Sequence, residues 1–233
     1  MKTTRITPQI TQLTRMGLFN AFLVSEVDGL TLVDALLKGS EKSILETAKT
    51  LGQPVKRILL THAHVDHVGS LDALARALPG VEIAIGKRES RLLARDFSLD
   101  PDEPKAKLRG SFPKVESRPS VLLNEGDHYG SLLAIFTPGH TPGHLAFLDE
   151  RSGTLIAGDA LASAGGLRVV GDASWLFPLP KMATWHKPTA LASGRKLAAA
   201  APQHIVVGHG HAIMDNAAQQ LKEAVAHAEA NRG

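Results

Sequence analysis

Apolar positions along the chain recur with two periods, and the switches between them outline the elements. Residues 20–26 and 29–35 are apolar runs on either side of Val27-Asp28-Gly29, and the Asp-Gly pair predicts a hairpin. After Ser40 the period lengthens: Ile44, Leu45, Ala48 and Leu51 share a helical face, Ser40 stands at the N-cap, and Gly52 and Pro54 stop the helix. A strand over 57–61 follows. A helix from Ser70 then turns Leu71, Leu74, Ala75 and Leu78 inward, ends at Pro79-Gly80 and leads to a strand over 81–85. Strand, helix and strand at this spacing predict parallel pairing through a crossover helix.

Residues 87–119 break the pattern. A short helix is expected over 89–95, and Pro101, Pro104, Pro113 and Pro119 then stand in a charged setting, which reads as an ordered loop or lid. Strands resume at 131–137, 144–149 and 154–157, with a turn at 150–153. Residues 160–187 are irregular and rich in Gly, Pro, Trp and Phe. A helix over 188–201, a strand over 204–207 and a helix over 217–229 complete the chain. No shift in composition divides it, so residues 1–233 are expected to form a single α/β domain.

Composition narrows the chemistry. Cysteine is absent, which removes disulfides, thiolate zinc sites, iron–sulfur clusters and a Cys nucleophile. Apolar runs such as 132–136 fall far short of the roughly 20 residues of a membrane helix, so no membrane partner is expected. Residues 1–16 are polar and carry no apolar signal segment, which makes the cytoplasm the expected compartment. The net charge of +3 comes from scattered Lys and Arg, and the densest stretch, 105–118, includes Glu116, so no nucleic-acid partner is expected.

The 11 histidines are uneven. Apolar strands lead into His62-Ala63-His64-Val65-Asp66-His67, into Pro138-Gly139-His140 and into Gly208-His209-Gly210; a fourth ends in Gly158-Asp159. Ligands in α/β sheets gather beyond the carboxyl ends of strands, so these residues are expected at one edge. His62 and His64, two apart in extended backbone, point the same way and can share a metal; Asp66 and His67, just before a helix, can face a second. Imidazole and carboxylate suit zinc, and also manganese or iron. At this chain's His and Asp frequencies the H-x-H-x-D-H pattern arises by chance in roughly one sequence per thousand.

These segments, together with the repeat Thr137-Pro138-Gly139-His140-Thr141-Pro142-Gly143-His144, resemble the metallo-β-lactamase superfamily of metal-dependent hydrolases over nearly the whole chain. The resemblance implies an αββα sandwich of two mixed β-sheets flanked by helices, with two divalent metal ions at one edge. It implies that His62, His64 and His140 hold one metal, that Asp66, His67 and His209 hold the other, and that Asp159 bridges them. Asp34 matches a position that supports such sites from behind, and Asp66 matches one that orients water or shuttles a proton. The first His of the Pro-Gly-His pair binds metal in the family, which leaves His144 outside the ligand set. The resemblance also brings a homodimer as an expectation.

The absence of Cys and the presence of Asp159 disfavour a true β-lactamase. Only 24 residues follow His209, too few for the helical region that binds glutathione in glyoxalase II, and no Tyr follows Asp159 as it does in acyl-homoserine lactonases. The expected activity is hydrolysis of a small ester, lactone or thioester; a phosphodiesterase or nuclease and a non-catalytic metal-binding protein are the alternatives. Met16, Leu18, Phe19, Trp175, Phe177, Met182 and Trp185 form either an apolar wall for an acyl group or ordinary packing under loops. Arg168 and Lys181 could meet an anionic substrate group. His211, close behind His209, reads as a loop residue near the site rather than a ligand; His128, His186, His204 and His227 read as structural or exposed, and Ser163 and Ser174 have no His–Asp partners in the sequence.

Overall fold

The computed structural model describes residues 1–172 and 177–231. Among them, one sheet holds seven strands in the order β1 (Lys2–Arg5), β2 (Ile10–Arg15), β3 (Phe19–Glu26), β4 (Gly29–Val33), β5 (Val55–Leu60), β6 (Glu82–Gly86) and β7 (Val121–Leu123). The first three pairings are antiparallel and the last three parallel. The helices α1 (Glu41–Thr50), α2 (Val65–Val68), α3 (Leu71–Ala77) and α4 (Lys87–Leu93) come between these strands and after β6. The second sheet is built from β8 (His128–Tyr129), β9 (Leu132–Phe136), β10 (Leu145–Asp149) and β11 (Thr154–Ile156), closed on its far edge by β14 (His204–Val206), which runs parallel to β11. A small ribbon, β12 (Leu161–Ala162) with β13 (Arg168–Val169), and the helices α5 (Leu179–Met182), α6 (Lys187–Ala199) and α7 (Ala217–Ala230) complete the described elements.

Three apolar layers account for the architecture. On β3, Ala21 and Leu23 join Ile44 of α1 and Leu71 and Leu74 of α3, whereas Phe22 and Val24 turn toward the second sheet. There they meet Leu132, Ala134, Leu145, Phe147 and Ile156. The opposite faces of β9, β10 and β11, through Ile135, Ala146 and Leu155, pack on Leu191 and Leu197 of α6 and Leu221 and Ala224 of α7. Strands buried on both faces read as continuous apolar runs, because successive side chains enter different layers. The result is the αββα sandwich that the sequence resemblance implied.

Differences from the sequence reading lie mostly at edges. β1 is fully exposed and β2 carries polar residues on a buried strand, so neither showed an apolar run. The β3–β4 hairpin pairs Glu26 with Gly29, which centres the turn on Val27-Asp28 rather than on Asp28-Gly29. Asp66 and His67 lie before α3, as expected, but within a one-turn helix of their own, α2. Ser40 and Ser70 occupy N-cap positions, but both hydroxyls donate to the Leu37 carbonyl, at 2.7 and 2.8 Å, and cap nothing. The 87–119 segment is ordered by ion pairs: Arg88 forks onto Glu103 at 2.6 and 2.8 Å, and Arg91 reaches Asp100 at 2.5 Å. No helix of the described residues is long and apolar enough to cross a membrane.

Candidate metal centre

The two sheets meet at one edge, where Leu145 N–H donates to Thr61 O (3.0 Å) and Asn20 N–H to Gly208 O (2.9 Å). At this edge β5 leads to His62 and His64, the β9–β10 connection holds His140, and the segments after β11 and β14 hold Asp159 and His209. All seven expected residues come together. Ligand atoms fall into three groups whose members lie within 4.8 Å of one another: His62, His64 and His140; His62, His67 and Asp159; and Asp66, His67 and His209.

The protons on the imidazoles can be traced from their outer partners. Thr61 Oγ1 donates to Asp34 (2.8 Å), so it accepts from His62 Nδ1 (3.0 Å) and leaves His62 Nε2 bare. His64 Nε2–H donates to the Arg109 carbonyl (3.0 Å), leaving Nδ1 bare. Thr184 Oγ1 donates to Pro180 O (2.7 Å) and accepts from His140 Nδ1 (3.3 Å), leaving Nε2 bare. Those three bare nitrogens converge, with His64 Nδ1 at 3.2 Å from His62 Nε2 and 3.0 Å from His140 Nε2. Lone pairs repel at such distances, and a cation between them turns repulsion into ligation. Burial, reinforced by neighbouring histidines, holds His62 and His140 well below the usual imidazole range, which keeps them neutral.

In the second group His67 has the same outer support, whereas His209 Nδ1 is buried without a hydrogen-bond partner. His67 Nδ1 donates to Asp34 Oδ2 (2.7 Å), so its Nε2 faces the cluster and has no hydrogen-bond partner. Asp159 Oδ1 is likewise buried without one. That carboxylate spans both groups, with Oδ1 at 3.4 Å from His67 Nε2, and Oδ2 at 3.3 Å from His140 Nε2 and 3.1 Å from His209 Nε2. Asp66 Oδ2 lies 3.1 Å from His209 Nε2 and 3.7 Å from His67 Nε2. Burial would raise the Asp66 carboxyl, but His67 and His209 hold it down at about 2, so it is ionised. Burial would lower His67 and His209, but Asp34, Asp159 and Asp66 raise His67 well above the usual imidazole range, and Asp159 and Asp66 raise His209 to about 9. The carboxylates thus gather positive charge at the second group, where a divalent ion would take the place of protons, and with the bare imidazole nitrogens of the first group this donor set fits divalent metal ions.

Supports arrive from elements that show no motif. Asp34 has φ 64°, and its carboxylate also accepts from Thr61 N–H (2.9 Å). Asn20 donates to Val207 O and Gly210 O, both at 2.9 Å, and accepts from Gln12 Nε2 and Thr14 Oγ1, anchoring the His209 loop to the first sheet. Buried Glu89 bonds both His-bearing loops. It shares a helical face with Leu92 and Leu93, and an acid on such an apolar stripe is the one signal that could have drawn attention to it. His144 reaches neither group. Its Nδ1 donates to Thr137 Oγ1 (2.8 Å) and its Nε2 accepts the Asp159 N–H (3.0 Å), so it orients Asp159 from behind. The other histidines stand apart: His186 caps α6, His204 bonds Met214 O, His128 and His227 pair with Glu150 and Asp172, and His211 is exposed. Ser163 Oγ donates to His211 O; Ser174 lies outside the described residues.

A cavity of about 420 Å3 opens over the cluster. Asp66, His64, His140, Asp159 and His209 form its polar part, and Phe19, Leu37, Phe177, Leu179, Pro180 and Met182 its apolar walls. Cavities of about 430 and 440 Å3 elsewhere are no smaller, so the converging polar groups distinguish this one, not its volume. Of the residues expected to border a groove, Phe19, Phe177 and Met182 line this cavity. Met16 and Leu18 do not, and Trp175 lies outside the described residues. Trp185 is a buried clasp instead, its indole N–H donating to Ala106 O (3.0 Å) and its backbone N–H to His140 O (3.0 Å). Neither Arg168 nor Lys181 is among the lining residues.

The chain belongs to the metallo-beta-lactamase superfamily of metal-dependent hydrolases, whose family model matches residues 17–209. It is 48% identical over 88% of both chains to the Bacillus subtilis protein YobT, described as uncharacterized. It is 30% identical to the probable metallo-hydrolase YflN of the same organism, covering 81% of this chain and 78% of that one. A metallo-beta-lactamase from Pontibacter korlensis shares the fold with a TM-score of 0.70, at 19% identity and with 97% and 98% of the two chains covered.

Proposed function

We propose that this protein is a dinuclear hydrolase, with zinc as the metal, acting on a small ester, lactone or thioester that carries an apolar acyl group. The observation that carries this reading is the convergence of seven ligand-type side chains on one side of an apolar-walled cavity. His62, His64 and His140 would hold one ion, Asp66, His67 and His209 the other, and Asp159 would contact both. When bound, such an ion pair supplies an activated water at neutral pH and polarises the scissile carbonyl.

The protein's own groups do the rest. Asp66 is the most accessible of the ionised carboxylates at the cluster, with its side chain 20% exposed, and is suited to orient a water or accept its proton. Phe19, Phe177, Leu179 and Met182 favour an apolar acyl chain and exclude bulk water. Among the described residues the cavity lining contains no Lys or Arg, which speaks against a polyanionic nucleic-acid substrate.

The test is proton release by zinc-loaded protein on a lactone, a thioester, a simple ester, a β-lactam and a bis-aryl phosphate, each with and without chelator. Chelator-sensitive turnover of an acyl substrate supports the reading. Turnover of the phosphate alone would replace it with a phosphodiesterase. Asp159→Ala is expected to lose metal and most activity, and full activity with two ions retained would refute the assignment.

A further inference from the structure

Glu89 lies in α4, away from every sequence motif, and its side chain is completely buried. Its Oε1 accepts the Ala63 N–H at 2.9 Å, and Ala63 separates His62 from His64. Its Oε2 accepts the Thr141 hydroxyl at 2.8 Å and the Gly143 N–H at 3.0 Å, in the loop that begins at His140. Gly143 is pressed so closely on α4 that a Cβ there would collide with the Glu89 backbone nitrogen. One carboxylate therefore joins the two loops that supply all three histidines of the first group.

We propose that Glu89 is a positioning residue: by bridging Ala63 to Thr141 and Gly143, it sets the spacing of His62 and His64 against His140 and so the affinity of that half of the centre for metal. The inference rests on the metal-centre reading above. Burying an acid is unfavourable unless it is fully hydrogen-bonded, and a hydrophobic residue would fill the same space at lower cost. Burial pushes the Glu89 carboxyl up to about 7, while the three donors work in the opposite direction. What an apolar replacement cannot do is accept from both loops at once. Partners of this kind behind metal ligands change affinity by roughly 10–100-fold when removed.

The discriminating substitution is Glu89→Gln, which keeps the shape and one acceptor. Its amide nitrogen cannot accept from Gly143 N–H, so one of the two loops is released. Stepwise titration of the full-length protein with Co2+, followed by its visible absorption and repeated with Zn2+ against a chromogenic chelator, reads the two binding steps separately. We expect wild type to take two equivalents. In E89Q one step should weaken roughly 10–100-fold while the other stays within about threefold. Glu89→Ala should show the same asymmetry, and if that variant fails to fold, E89Q alone decides. Equal weakening of both steps together with a lowered melting temperature would mean a merely structural role and would overturn the proposal, as would E89Q binding indistinguishable from wild type. If wild type itself takes up no metal, the metal-centre reading fails and this inference with it; two equivalents in wild type with an unaltered E89Q sink only the inference.

Discussion

Replacing Asp34 by Asn isolates one proton in the centre. The position has φ 64°, a left-handed conformation that Asn tolerates, so the backbone is not strained by the change. The carboxylate accepts from three donors: Thr61 N–H at 2.9 Å, Thr61 Oγ1 at 2.8 Å and His67 Nδ1 at 2.7 Å. An amide cannot accept from both sides. If its oxygen stays with Thr61 N–H, its NH2 faces His67 Nδ1, and a neutral His67 ring must carry its proton on Nε2, the atom that faces Asp159 and would hold the metal. If the amide flips, its NH2 meets Thr61 N–H and two donors oppose each other in a buried site. Thr61 Oγ1 has two lone pairs and can still accept from His62, so the damage centres on His67. The lost hydrogen bond to a charged group corresponds to about 1.5–3 kcal/mol. At about 1.4 kcal/mol per decade this agrees with the roughly 10–100-fold loss seen when such partners of ligating histidines are removed. Competition with a chelator of known affinity measures it, with the larger loss expected at the step involving Asp66, His67 and His209. If D34N holds both ions within about threefold of wild type, the tautomer reasoning is wrong.

Other outcomes follow from the same geometry. Asn20→Ala strands the Val207 and Gly210 carbonyls and the donors of Gln12 and Thr14 in a buried position. It should cost about 2–4 kcal/mol, lowering the calorimetric melting temperature by roughly 5–15 °C; a drop of only about 1 °C would show that water replaces these bonds freely. Met182→Glu places a charge in the apolar wall of the cavity and should raise KM for long-chain acyl substrates by tenfold or more, on the order of 1.4 kcal/mol, while leaving metal content unchanged; equal KM values for long and short chains in wild type and variant would remove Met182 from the substrate path. Glu89 predicts a pH dependence. Burial lifts its folded pKa to about 7, above the 4.5 of a free glutamate, so the folded state binds more protons than the unfolded state between these values. Its contribution to stability therefore declines as pH rises through that window, by roughly 3 kcal/mol in all. Denaturant unfolding of wild type and E89Q at matched metal loading, from pH 4 to 8, should show the difference moving against wild type by that order, and a constant difference would contradict it.

Sequence legibility tracked how locally each feature is encoded. The helix carrying Ile44, Ala48 and Leu51, the strand leading to His62 and the strand ending before Gly158 were all readable, because their apolar residues enter layers that the period of the element dictates. β1 and β2 were not readable. One is an exposed edge, and the other buries Gln12 and Thr14 for the sake of Asn20, a partner visible only after folding. Trp185 looked like a groove residue but is held by the Ala106 carbonyl, a contact 79 residues away in the chain. Its aromatic character suited either role, and packing decided between them.

The sequence by itself marked the residues that converge: His62, His64, Asp66, His67, His140, Asp159 and His209 stand out by spacing and by the strand ends before them, both local properties of the chain. The tertiary structure alone decided which nitrogen of His62, His64, His67 and His140 faces the cluster, because that depends on Thr61, Arg109, Asp34 and Thr184, whose positions follow from how loops and sheets pack. It also decided that Glu89 and Asn20 hold the loops together and that His144 stands behind Asp159 rather than beside it. A hydrogen bond between residues far apart in sequence leaves no periodicity and no spacing, so nothing short of the folded chain could display it.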